Sequence, residues 1–118
     1  MNEFISILFQ SRTQAHVFHL ETLHYSEHKA LQNYYDEIVG LADGLAESYQ
    51  GIYGRLSGFQ SKPIIDWKEG LSSDYFKKLY DYVQSTRKDL EQDSWIQNEI
   101  DAIAELIADT LYMLTLKG

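Results

Sequence analysis

The sequence predicts an all-α fold, a four-helix bundle made of two helical hairpins joined by a long crossover. Three observations predict it. Apolar residues recur at intervals of three and four over four separate stretches. The two-residue alternation of a half-buried strand is almost absent. Four of the seven glycines and the only proline gather between Gly51 and Gly70, dividing the four stretches into two pairs.

The first helix is expected from about residue 3 to 20 or a few residues beyond. Phe4, Ile7, Leu8, Ser11, Ala15, Phe18 and Thr22 follow one face. A short break at 22–26 leads to the second helix, with Ser26 as its N-cap and Glu27 in its first turn. Leu31, Tyr34, Ile38, Leu41, Leu45 and Tyr49 form its apolar stripe, which stops at Gly51. The segment GIYGRLSGFQSKPIIDWKEG (51–70) reads as an irregular crossover with a short turn around 64–68. A connection of that length in a compact domain crosses the fold or serves a function. Ser72 or Ser73 caps the third helix, about 74–90, with Phe76, Leu79, Tyr80, Val83 and Leu90 inward. Asp93 or Ser94 starts the fourth, whose core face is Ile96, Ile100, Ile103, Ala104, Ile107, Leu111 and Leu114. Two hairpins joined by one crossover is the arrangement of the ferritin-like bundle.

Composition narrows the function. The 118 residues make one domain, 1–118. No apolar run reaches the length of a membrane span, and MNEFISILFQSRTQ lacks the basic start and cleavage site of a signal peptide, so a cytoplasmic location is expected. With no cysteine, disulfides and thiolate metal sites are excluded. A formal charge of −8 with scattered basic residues argues against nucleic-acid binding, which requires Lys and Arg to neutralise phosphates. GIYGRLSG lacks the lysine of a phosphate-cradling loop.

Chemistry concentrates in the first half of the chain. His16, His28, Asp43 and Glu47 combine imidazoles with carboxylates, the ligand types that iron, zinc and manganese accept. His28 and Asp43 fall on one predicted helix, and fifteen residues of helix separate them by about 22 Å. One metal could use all four only if a second, antiparallel copy supplied half of them, which predicts self-association through the second helix. Gly40 and Gly44 lie inside that helix, where each costs about 1 kcal/mol relative to Ala. Close approach of another helix, from a second copy or from the same bundle, explains tolerating them.

The stretch AHVFHLETLHYSEHKALQNYYDEIVGLADGLAESYQG (15–51) resembles the Dps branch of the ferritin-like proteins, and most closely short Dps-like proteins, several of them from bacteriophage genomes. The family carries a histidine on the first helix and another twelve residues on. An aspartate follows after fifteen more, then a glutamate four beyond in a D-x-x-A-E run. Here these are His16, His28, Asp43 and Glu47, with Ala46 before the glutamate. The resemblance implies ferrous iron bound between two subunits, zinc or manganese as substitutes, and ferroxidase activity with peroxide or oxygen. The sequence departs at Gln32, where the family often has a carboxylate, at Val17, where it has an aromatic, and at Glu21, where it has a turn glycine. It has neither a long N-terminal arm nor a basic tail, so the DNA binding of some relatives is not expected.

Other residues have blander readings. His19 reads as a surface or interface histidine, or as an outer partner orienting His16. Glu21 and His24 match half of an E-x-x-H pair that has no second copy. Glu105 and Asp109 match half of the carboxylate set of the all-α nucleotide pyrophosphatases, without the upstream E-x-x-E, and read as exposed charges. The nine tyrosines read as amphipathic core and interface filling. The alternative for the whole chain is a non-catalytic bundle that binds a protein or small ligand.

Overall fold

Four helices carry the chain in a computed structural model that describes residues 1–117. They are α1 (Asn2–Glu21), α2 (Tyr25–Tyr53), α3 (Leu71–Thr86) and α4 (Ser94–Met113), with a one-turn 3-10 helix at Arg87–Asp89. No strand occurs among the described residues, and no helix there is long and apolar enough to cross a membrane. α1 pairs with α2, α2 with α4, α4 with α3, and α3 lies along α1. The apolar stripes read from the sequence meet on the bundle axis. Phe4, Leu8, Ala15 and Phe18 of α1, Leu31, Tyr34, Ile38 and Leu45 of α2, Phe76 and Val83 of α3, and Ile96, Ile100, Ile103 and Ile107 of α4 are all buried. Tyr34, the largest fully buried side chain, meets the Phe76 ring edge-on at 4.7 Å. The Ser11 hydroxyl donates to the Leu8 carbonyl at 2.7 Å, so the Tyr34 hydroxyl donates to Ser11 Oγ at 2.7 Å.

The crossover (54–70) runs the length of α1 and is held by its side chains. Asn2 Nδ2 donates to the Ser57 carbonyl at 2.7 Å, and Ser6 Oγ accepts from the Gln60 amide at 2.9 Å. Gln10 Nε2 reaches the Pro63 carbonyl at 3.3 Å. The fully buried Gln14 bonds both main-chain groups of Ile65 at 2.9 Å, and Glu21 accepts from the Trp67 amide at 2.8 Å. Asn2, Ser6, Gln10 and Gln14 are spaced by four and so line one side of the helix. An irregular segment needs partners for its backbone groups, and this polar stripe supplies them. Because the crossover enters at the start of α1 and leaves at its end, α3 runs parallel to α2. The bundle is up-down-down-up.

Several boundaries differ from the sequence reading. Ser26 lies inside α2 and donates its hydroxyl to the Leu116 carbonyl at 3.1 Å; the N-cap position is His24. α2 passes through Gly51 and stops at Gly54, whose φ of 94° suits glycine. The turn expected at 64–68 is instead Glu69–Gly70, and Gly70 rather than a serine precedes α3. Ser72 is buried and bonds Glu27. α3 ends at Thr86 rather than near residue 90 and passes into the 3-10 turn at Arg87–Asp89, where glutamine amides bond the carbonyls that follow the helix. Gln97 Nε2 donates to the Arg87 carbonyl at 3.1 Å and Gln92 Nε2 to the Leu90 carbonyl at 2.7 Å. A Cβ placed on Gly40 or Gly44 would meet nothing within 4 Å, so no helix of this bundle approaches them closely. Packing within the bundle does not explain these glycines.

Candidate functional site

The three-residue turn between α1 and α2 sets the last turn of one helix beside the first turn of the other. His19 and His28 meet there with rings stacked at 3.6 Å and planes 17° apart. His28 Nδ1 lies 2.8 Å from the His19 carbonyl, and His19 Nδ1 lies 2.7 Å from the His28 carbonyl. A carbonyl only accepts, so each Nδ1 carries a proton and donates. A neutral ring then presents its lone pair on Nε2. The arrangement has a local cause. The helix ends with the Thr22 amide on the Phe18 carbonyl, so the His19 carbonyl is among those left without an intrahelical donor. The His28 imidazole supplies that donor.

The ring contacts extend along the α1–α2 seam. His16, exposed on α1, stacks on Tyr35 at 4.4 Å, and its ring lies 5.9 Å from that of His19. Tyr25 lies 6.3 Å beyond His28. His19 is 7% exposed and pairs with His28, rather than lying on the surface or serving His16. The clue in the sequence was its nine-residue spacing from His28 across a short turn.

Asp43 and Glu47 lie one turn apart on α2, both exposed and without a hydrogen bond or ion pair among the described residues. Helix rise puts Asp43 about 22 Å from His28. Among the described residues, no three His, Asp or Glu side chains come together as a set that could hold a metal. The four expected ligands therefore do not come together within one chain: the histidines lie at the α1–α2 seam and the carboxylates farther along α2. Glu105 and Asp109 are exposed, as solvated charges would be.

Glu21 and His24 do not form a ligand pair either. Glu21 binds the Trp67 amide, while His24 Nε2 lies 2.8 Å from both oxygens of Glu69. The Glu27 carboxylate accepts from the Trp67 indole and the Ser72 hydroxyl. His24, Ser26, Glu27 and Glu69 line a cavity of about 330 Å³ at this end of the bundle. The Glu69 hydrogen bond first, and then its charge, raises the His24 pKa above 6.5. The pair's contribution to stability is therefore complete below about pH 6.5 and is lost as pH rises through the raised value. Trp67 lies 6.0 Å from His24, close enough for its fluorescence to follow this titration. In a Trp95→Phe background, its fluorescence should titrate with a midpoint above 6.5. Glu69→Gln should lower that midpoint, and an unmoved midpoint would remove Glu69 as the cause.

Charge is divided unevenly. α2 carries five carboxylates against Lys29, and α4 carries four against no basic residue, so these two adjacent helices account for the whole net charge of −8. The α1, crossover and α3 side is close to neutral.

A family model described as a family of unknown function (DUF5856) matches residues 19–114, a span that contains His19, His28, Asp43 and Glu47 and leaves out His16. The chain is similar to an uncharacterized 14.6 kDa protein from the mobD-ri intergenic region of Enterobacteria phage T4. The two are 29% identical over 119 residues, covering 98% of this chain and 88% of the relative. No solved structure matches.

Proposed function

We propose, from the premise that the chain belongs to the DUF5856 family, that it is a ferritin-like bundle binding metal as Dps-like proteins do. The centre lies between two copies: His16 and His28 of one chain face Asp43 and Glu47 of the other. The up-down-down-up order with a long crossover fits the ferritin-like arrangement. The observation that carries the reading is the 2.8 Å contact of His28 Nδ1 with the His19 carbonyl, which requires the ring proton on Nδ1 and leaves Nε2 as the donor nitrogen. Ligating histidines characteristically give their other ring N–H to a carbonyl or carboxylate in this way. The Asp43–Glu47 pair, without a partner among the described residues, and the uncrowded Gly40 and Gly44 suit a second chain approaching α2. The negative field of α2 and α4 draws cations toward it.

At such a centre, His28 and His16 contribute neutral nitrogen ligands, while Asp43 and Glu47 contribute charge and oxygen ligands. Fe(II) is the expected cation and substrate, oxidised by peroxide or oxygen, with Zn(II) or Mn(II) as substitutes. The test is anaerobic Fe(II) titration of the metal-free protein, then peroxide, followed by ultraviolet absorbance. Saturation at one or two irons per site with oxidation faster than in buffer supports the reading. Binding no stronger than a buffer blank refutes it. One observation favours a second reading, a non-catalytic interaction module. Leu20, Leu23 and Tyr25 are 70%, 84% and 68% exposed around the histidine seam, an apolar patch suited to a protein partner.

A further inference from the structure

We infer that His19 is a positioning residue that clamps the His28 imidazole in the orientation that offers Nε2 to a cation. The use of the clamp rests on the metal-binding reading, but its geometry rests on the reciprocal pair alone.

A histidine in the first turn of a surface helix ordinarily turns about two side-chain bonds and exchanges its proton between two nitrogens. His28 is restrained on both counts. Its Nδ1–H is committed to the His19 carbonyl, which fixes the tautomer and one edge of the ring. One face is covered by the His19 ring at 3.6 Å, which blocks rotation out of plane. The clamp is itself held, because His19 is almost fully buried and its Nδ1–H is tied to the main chain of His28. Tyr35 meets the His19 ring edge-on at 5.2 Å. Each residue thus holds the other through one ring face and one carbonyl.

The same geometry denies His19 the role of co-ligand. A ligating imidazole places its metal in the ring plane, about 2.0–2.1 Å from nitrogen. Two stacked rings with centroids 3.6 Å apart and planes 17° from parallel do not share such a point. His19 orients; His28 and His16 bind.

Three variants separate the parts of the clamp. His19→Phe keeps a flat ring and loses the N–H. His19→Asn keeps a short N–H donor and loses the ring. His19→Ala loses both. Circular dichroism selects the variants that fold, so the conclusion does not depend on any one of them. The first readout is the side-chain nitrogen–proton correlation spectrum of His28 in metal-free protein at mildly alkaline pH. Wild type should show one Nδ1–H pattern with a single ring environment, and His19→Ala an averaged one. The second is Zn(II) affinity by competition with a chromophoric chelator, expected to fall about 10–100-fold in His19→Ala, with partial rescue in His19→Asn or His19→Phe. A His28 spectrum and Zn(II) affinity unchanged in every folded variant would overturn the clamp while leaving the metal reading intact. A wild-type protein with an ordered His28 that fails to bind Zn(II) would overturn the metal reading and the use of the clamp, and leave the geometry standing.

Discussion

Two variants that each lose tight Zn(II) binding should regain it when refolded together. One chain carries His16→Ala and His28→Ala, the other Asp43→Asn and Glu47→Gln. Removing two of four ligands should cost more than the roughly 10–100-fold that follows loss of an outer hydrogen-bond partner. In a two-fold dimer of either variant, both sites lack half their ligands. In a mixed dimer, one site receives histidines from the second chain and carboxylates from the first, while the other receives neither. Random pairing makes half the dimers mixed, so about a quarter of the wild-type sites should return. Isothermal titration gives the number of sites, and native mass spectrometry confirms that mixed dimers form. Mixed dimers that remain unable to bind would rule out a shared site, and full binding by either variant alone would rule out its missing pair as ligands. The mixture should be refolded near physiological ionic strength, because α2 carries five carboxylates against one lysine and like-charged faces repel more strongly in dilute salt.

Tyr34→Ala should produce the largest loss of stability of any single truncation. Tyr34 is the largest side chain in the bundle with essentially no exposed surface, and it joins three helices: α2 by its backbone, α3 through Phe76 and α1 through Ser11. Truncating a buried aromatic costs about 3–5 kcal/mol, a large fraction of the about 5–15 kcal/mol that holds a domain folded. Tyr34→Phe keeps the ring and removes only the hydroxyl. Ser11 still has the Leu8 carbonyl, so the loss should be about 1 kcal/mol. Urea denaturation of both variants separates the two contributions. Equal costs would mean that the hydroxyl, not the ring, holds the three helices together.

Much of the helical core was legible because burial imposes a period. Ile96, Ile100, Ile103 and Ile107 follow it along one helix, and each is buried. Helix ends were less legible. Ser26 and Ser72 resemble caps in sequence, but their hydroxyls are used by the Leu116 carbonyl and the Glu27 carboxylate, partners that only the folded chain brings near. The crossover showed itself as glycine and proline, and nothing local disclosed where it would lie. That information sat in Asn2, Ser6, Gln10 and Gln14, a four-residue repeat of polar side chains inside an apolar helix. At the candidate site, residue types and spacing marked His16, His28, Asp43 and Glu47 and their separation along the chain. His19 reads in sequence as a surface histidine or a partner of His16; beyond its spacing from His28, the pairing depends on main-chain carbonyls, which carry no residue signature.

The polar ladder on α1 also makes the first hairpin depend on the crossover. α1 and α2 are complete once residue 53 has been made, and their apolar faces can then pair. At that moment the buried amide of Gln14 has no partner, because Ile65 lies farther along the chain. A buried, unpaired amide costs about 1–3 kcal/mol, so the first hairpin keeps that side wet while it waits. Without residues 57–67, the amide groups of α1 would have only water to bond. Residues 57–67 supply those partners and lead to Gly70, where α3 begins in the direction that closes the bundle.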